Sequence, residues 1–188
     1  MYGFRELCKY EAHMNDRRKI ILSVEIREAR AADAEKVIAY TKTIGGESDN
    51  LTFGSDGFPI TVEEEADYLE SVYAADKSVH LLALMDGEII ADGSLSGLPR
   101  RMSHRAELGI AVRKPYWNKG VGSMLMQKLI DYAKEHDIEI INLEVRSDNA
   151  GAIHLYQKFG FRSIGKSPAY FKIDNNYCDF DIMYIDLR

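Results

Sequence analysis

The sequence predicts a single α+β domain, a sheet with helices on its faces. Two observations carry this. Segments of period 2 and segments of period 3.6 follow one another in the order β-α-α-β-β-β-α-β-α-β-β. A chain of 188 residues with 46% hydrophobic and 29% charged residues can also build one core without metal or disulfide staples.

The first strand is expected over Ile20–Glu28, so residues 1–19 read as an N-terminal extension and residues 20–188 as the domain. Ala31–Thr43 has helical spacing at Ala31, Ala34, Val37 and Ile38. A turn-rich loop follows from Gly45 to Pro59, of a length that marks function or mobility. Thr61 and Glu64 form a capping box that opens a helix to about Tyr73, with Ala66, Tyr68, Leu69 and Val72 expected to face inward.

Val79–Leu84 and Ile89–Leu95 make a hairpin around Asp86-Gly87, a pair suited to the positive φ angles of a tight turn. Arg105–Val112 is the next strand. Gly120–His136 is an amphipathic helix with Val121, Met124, Leu125, Leu129, Tyr132 and Ala133 on one stripe. Ile138–Val145 is a strand and Ala150–Phe159 a helix closed by Gly160. Phe161–Lys172 and Tyr177–Leu187 pair as a closing hairpin.

Charge and cysteine usage exclude several classes. The net charge is −6, which argues against nucleic acid or an anionic membrane as the main partner. No run approaches a membrane span, and the N-terminal residues have no apolar signal core. Cys8 and Cys178 offer no metal spacing and no disulfide framework, and the five histidines are scattered, so no metal is expected and a cytoplasmic setting fits.

The stretch from Glu107 to Ser123 runs from a strand through a short loop into a helix. Gly120 and Gly122 stand at the loop-to-helix junction, where free helix N–H groups and the helix dipole favour an anion such as pyrophosphate. Lys119 adds a charge nearby. A glycine pair before a helix is equally what a tight, closely packed turn looks like. GxxxxGK[ST] and GxGxxG are both absent. On the preceding strand Glu107, Gly109 and Ala111 share one face, and a carboxylate beside two small residues leaves room for a substrate.

Trp117-Asn-Lys-Gly-Val-Gly122 resembles the acyl-CoA signature of the GNAT acetyltransferase superfamily, Gln/Arg-x-x-Gly-x-Gly/Ala, with Trp in place of the first residue. Asn149-x-x-Ala-x-x-Leu-Tyr-x-x-x-Gly-Phe161 matches a second signature of that family. The resemblance is close over residues 105–162. It implies a GNAT-type acyl-CoA N-acyltransferase fold, a central mixed and mostly antiparallel sheet flanked by helices on both faces, and acetyl-CoA as cosubstrate.

It further implies that the coenzyme is held by backbone groups of Ile110, Ala111 and Val112 and by Trp117, Asn118, Lys119, Gly120, Val121, Gly122 and Ser123, with Asn149 and Tyr156 completing the site. An oxyanion N–H would come from Ile110 or Ala111. Tyr156 would be the general acid toward the coenzyme sulfur and Glu107 the general base, in a direct attack by an amine. The packing alternatives are a core aromatic for Tyr156, a helix cap for Asn149 and a strand carboxylate paired with Arg105 for Glu107.

The acceptor site of the family is formed by the loop between the first two helices and the final hairpin, here Gly45–Ile60 and residues 166–176. Phe53, Phe58, Tyr170 and Phe171 are its candidate walls, and Glu47, Asp49 and Glu64 its candidates for drawing an ammonium. A small-molecule amine is the expected acceptor. A protein N-terminus or lysine is the alternative, and a non-catalytic acyl-CoA sensor is a third reading. Exposed edges of the closing hairpin and the habit of the family point to a homodimer.

Overall fold

The computed structural model describes residues 5–13 and 19–188, with side chains from Ser23 onward. It contains eight strands in one sheet and four helices: β1 Arg5–His13, β2 Lys19–Glu28, α1 Ala34–Gly45, α2 Val62–Ala74, β3 Val79–Met85, β4 Glu88–Gly97, β5 Arg105–Val112, α3 Val121–Glu135, β6 Ile140–Arg146, α4 Ala150–Lys158, β7 Arg162–Ile173 and β8 Asn176–Asp186. The strand order is β1-β2-β3-β4-β5-β6-β8-β7. Every neighbouring pair is antiparallel except β5 and β6, which run parallel.

Each face of the sheet carries its own core. Leu81, Ile90, Ala106, Leu108, Leu143 and Val145 turn toward α3 and α4 and meet Leu125, Met126, Leu129 and Tyr156. Leu82, Leu84 and Ile89 turn the other way, toward α1 and α2, and meet Val37, Tyr40, Ile44 and Leu69. The period-2 alternation of the strands assigns side chains to one layer or the other. Each fully buried Leu or Ile contributes about 1.5–3 kcal/mol.

The hairpin turn behaves as its residues dictate: Asp86 and Gly87 take φ of 52° and 82°. The capping box forms, with Glu64 N–H donating to Thr61 Oγ1 at 3.1 Å and Thr61 N–H to Glu64 Oε2 at 2.8 Å.

Several expectations need correction. Residues 31–33 form a 3-10 turn, and α1 proper starts at Ala34. Residues 1–19, expected as an extension, contribute β1, which pairs along its length with β2; residues 1–4 and 14–18 lie outside the described residues. On α2, Tyr68 is exposed, and Glu65 is buried beside Leu69. The helix is rotated so that 65, 69 and 72 meet the sheet, with Leu69 packed against Leu82, Leu84 and Ile89.

Candidate active site

A gap opens in the middle of the sheet. Strands β5 and β6 pair only over Arg105–Glu107 and Ile140–Asn142. Beyond that, β5 stays with β4 up to Val112 and β6 stays with β8 up to Arg146, so the two diverge. Arg113 N–H donates to Ile90 O at 3.0 Å, which sets the alternation of the β4–β5 ladder. Glu107, Gly109 and Ala111 turn their backbone groups toward β4, whereas Leu108, Ile110 and Val112 turn theirs into the gap. Ala111, expected to serve the coenzyme through its backbone, is thus tied into the sheet, and its carbonyl also accepts from Tyr40 Oη at 3.0 Å. Ile110 is the residue whose N–H and C=O are both left at the open edge.

At the outer end of the gap the chain turns into α3. Asn118 and Gly120 adopt positive φ, 58° and 82°, and Gly120 is the N-cap. The first intrahelical bond is Met124 N–H to Gly120 O at 3.0 Å. The N–H groups of residues 118–123 therefore point out of the turn without an acceptor in the described protein, a concave donor set at the positive end of a 15-residue helix. This donor set fits a pyrophosphate. A cavity of about 300 Å³ lies alongside, lined by Gly120, Ser123, Met124, Gln127, Lys128, Lys158 and Phe159.

Gly122 shows a packing constraint as well. A Cβ there would stand 3.2 Å from Leu155 Cδ2 and 3.6 Å from Val112 Cγ2. The close-packing reading of the glycine pair holds at Gly122. Gly122→Val should push α3 from α4 and from the end of β5. The expected result is about a tenfold loss in acetyl-CoA affinity with about 1–3 kcal/mol lost in stability, read by titrating the fluorescence of Trp117, the only tryptophan.

Trp117, the departure from the family signature, is 41% exposed, and its indole N–H donates to Val112 O at 2.5 Å. It closes one carbonyl of the open edge instead of reaching for phosphate. Lys119 Nζ lies 5.6 Å from the Tyr116 ring centre.

Tyr156 is buried at 6% exposure on the α3/α4 face, its ring 5.8 Å from that of Phe161. Burial alone pushes its phenol up from the ordinary value. The hydroxyl has no hydrogen-bond partner among the described residues, and it is not sealed from solvent. Asn149 caps α4, its Oδ1 accepting from Ala152 N–H at 3.2 Å.

Glu107 sits on the opposite face. It is exposed and makes no hydrogen bond or ion pair among the described residues; Arg105 is committed to Asn142 Oδ1 at 2.6 Å. Glu107 lines a second cavity, about 260 Å³, with Ser94, Ser96, Leu108, Gly109, Asn142, Leu143, Glu144 and Ile182. The acid candidate and the base candidate thus lie on the two opposite faces of the sheet.

The acceptor candidates separate. Tyr170 packs on Phe171 and Phe180, with ring centres 5.6 and 4.6 Å away. Its pKa is raised, first by burial, then by the Glu144 carboxylate beside it and by Glu107. Phe53 and Phe58 pack with ring centres 4.4 Å apart at a tilt of 51°, Phe53 packs on the core under α1, and neither lines the cavity. Glu64 is used by its capping box. Glu47 is equally committed: Oε1 accepts from Arg113 at 3.1 and 3.2 Å and Oε2 from Lys114 N–H at 2.6 Å. Asn142 and Glu144 were missed, although the alternation of Leu143 and Val145 with Asn142 and Glu144 places the latter pair on the face of Glu107.

The chain matches the Acetyltransferase (GNAT) family over residues 50–161. It is 32% identical to the L-amino acid N-acetyltransferase AaaT of Escherichia coli over 124 residues, 64% of this chain and 76% of that one. It is 25% identical to the L-methionine sulfoximine/L-methionine sulfone acetyltransferase of Pseudomonas aeruginosa over 88% of this chain and 96% of the relative. Among solved structures, a GNAT-family acetyltransferase from Streptococcus pneumoniae superposes with a TM-score of 0.85 at 30% identity, covering 87% of this chain and 99% of that one. The fold of yncA from Salmonella typhimurium, solved with its cofactor acetyl-CoA, also matches, at a TM-score of 0.77, 18% identity and coverage of 88% and 95%. With the split sheet, the unpartnered N–H turn and these likenesses together, the chain belongs to the GNAT superfamily and is an acetyl-transferring enzyme.

Proposed function

We propose that the enzyme transfers the acetyl group of acetyl-CoA to the primary amine of a small molecule, by direct attack with Glu107 as base and Tyr156 as acid. The observation that supports this reading is a pair of uncommitted groups on the two faces of the split sheet: an exposed carboxylate free of ion pairs and a buried phenol free of protein partners. The coenzyme supplies the thioester. The N–H groups of residues 118–123 hold its pyrophosphate and the open edge at Ile110 receives its arm as an added strand would be received. Ile110 N–H is the donor available to the carbonyl oxygen as it gains charge.

Glu107 takes a proton from the acceptor nitrogen as the new C–N bond forms. Tyr156 gives its proton to the departing sulfur, and burial favours the protonated phenol that this role requires. Glu107, Glu144 and the Tyr170 hydroxyl make the acceptor side of the gap attractive to an ammonium. The small-molecule reading is favoured by two relatives that act on amino acids or their analogues.

Thiol release from acetyl-CoA, assayed over amines, amino acids and N-terminal peptides, tests this. Turnover is expected with free amines or amino acids, and Glu107→Gln should lower kcat/KM on the order of 100-fold with acetyl-CoA binding intact. Turnover confined to peptides would overturn the small-molecule reading, and a fully active Glu107→Gln the base assignment.

A further inference from the structure

On the α1/α2 face a polar network sits behind the acceptor cavity. His80 on β3 bonds through Nε2 to Asp92 Oδ2 at 3.1 Å, and Tyr40 on α1 donates to Asp92 Oδ1 at 2.9 Å. The other imidazole nitrogen, Nδ1, is buried and has no hydrogen-bond partner, the one such side-chain atom among the described residues. A buried nitrogen left without a partner is costly to the fold and calls for an explanation. Glu65 from α2 is 94% buried, given its 6% exposure, and has no hydrogen bond in the described protein; it lies within the field of His80 and Asp92.

The register connects this network to the cavity. His80 stands directly opposite Ser94 on β4, and Ser94 directly opposite Gly109 on β5. His80 O accepts from Ala29 N–H on the far side, so His80 and Ser94 form a non-hydrogen-bonded pair, the type with the closer side chains, roughly 4.5–5.5 Å between Cβ atoms. Ser94 Oγ leans over Gly109, 3.2 Å from where a Cβ would stand, and lines the same cavity as Glu107.

We propose that His80 is a second proton acceptor of acetyl transfer, reached through the Ser94 hydroxyl, with Asp92 and Tyr40 fixing its tautomer. This rests on the amine-acetyltransferase reading above and deepens it. An acceptor that arrives as an ammonium must lose two protons before the amide is formed, and Glu107 accounts for one. In the rotamer that turns its oxygen from Gly109 toward His80, Ser94 takes the first proton from the ammonium while passing its own to Nδ1. The nitrogen, now neutral, forms the C–N bond and loses its second proton to Glu107. The C–S bond breaks as Tyr156 protonates the sulfur. His80 and Glu107 then release their protons to solvent, and solvent reprotonates Tyr156.

His80 touches no substrate in this scheme and is a positioning residue for the proton. Asp92 accepts from Nε2–H and so leaves the lone pair on Nδ1, the logic by which an aspartate sets a histidine tautomer. The titratable groups around His80 are Asp92 on β4, Tyr40 on α1, and Glu65 and Tyr68 on α2. Burial holds Tyr40 well above its ordinary pKa, with the Asp92 charge adding to it, so Tyr40 remains a donor. The Glu65 pKa is raised first by burial, with His80 opposing and the Asp92 charge adding to the rise.

Nitrogen-15 spectra of the resting enzyme and a double-mutant cycle on turnover test the proposal. The neutral imidazole of His80 should carry its proton on Nε2, and a proton found on Nδ1 would overturn it. His80→Gln keeps a donor for Asp92 but cannot titrate. It and Ser94→Ala should each lower kcat about 10- to 100-fold and remove the same acid-side limb from the pH profile, with acetyl-CoA affinity and melting temperature near wild type. The double variant should be no slower than the slower single one. Wild-type rates in either single variant, or fully multiplicative losses, would overturn the relay while leaving the acetyltransferase reading standing. A wild-type enzyme inactive on every amine would instead remove that reading, and the relay with it.

Discussion

Tyr156→Phe is expected to lower kcat on the order of 1000-fold with little change in acetyl-CoA affinity or stability. The substitution removes one oxygen from a buried ring and leaves the contact with Phe161 in place. Because that oxygen bonds to nothing in the described protein, its removal orphans no partner, and the folded state should stay within about 0.5 kcal/mol of wild type. A rate loss therefore reports on the reaction. Burial raises the phenol's pKa, so the acid form persists beyond the ordinary tyrosine range. The wild-type profile should show no alkaline fall from this group up to about pH 10, and the variant should be slower by the same factor throughout. Stopped-flow or steady-state thiol release measures both. A variant within threefold of wild type would leave Tyr156 a core aromatic only.

Much of the fold was legible because period decides it. Helix α3 repeats its apolar residues every three to four positions, and its stripe from Val121 to Ala133 is buried as the spacing requires, with Met126 and Ile130 widening it. The turn at Asp86-Gly87 and the capping box at Thr61 were fixed by chemistry local to a few residues. Strand β1 was missed although Cys8, Tyr10 and Ala12 alternate with Lys9 and Glu11, because scattered charges mask an edge strand's pattern. The rotation of α2 was not readable: Glu65 faces inward toward His80 and Asp92, which stand on strands 15 and more residues away.

The candidate site divides in the same way. Gly120 and Asn149 stand at helix N-caps, and Tyr156 on the buried side of α4, as the spacing within their own segments requires. The cavity beside Glu107, proposed above for the acceptor, is assembled from β4, β5, β6 and β8, and no window of sequence spans it. The loop from Gly45 to Ile60 supplied plausible residue types, but its Phe53 folds onto the α1/α2 core, and Glu47 ties the loop to Arg113 and Lys114. The direction of backbone groups on β5 was likewise invisible until the β4 register was known, which is why Ala111 was taken with Ile110.

The largest expected effect on stability lies at the ion pair that anchors α1. Arg27 on β2 donates to both oxygens of Asp33, at 2.7 and 2.6 Å, and Asp33 Oδ2 also accepts from Arg30 N–H at 3.0 Å. Asp33 is 7% exposed. Arg27→Met fills similar space but leaves the buried carboxylate with one backbone donor, an uncompensated charge that costs about 3–5 kcal/mol. Replacing both, as Arg27→Met with Asp33→Leu, should recover much of that loss, since the desolvation cost disappears with the charges.

The pH dependence has a definite sign. The hydrogen bond from Arg27, partly opposed by desolvation, lowers the pKa of Asp33 below the ordinary carboxylate value of 3.8. The folded state thus binds this proton less readily than the unfolded chain. The stabilisation is complete above the unfolded pKa and is lost as pH falls below it through the folded value. Urea melts of wild type and Arg27→Met should therefore converge as pH drops below about 4. A constant gap down to pH 2.5 would assign the loss to packing instead. The consequence reaches the site, because α1 also carries Tyr40, whose hydroxyl holds Asp92 and Ala111. If α1 detaches at the Arg27 end first, acetyl transfer should fail below about pH 4 before the sheet melts.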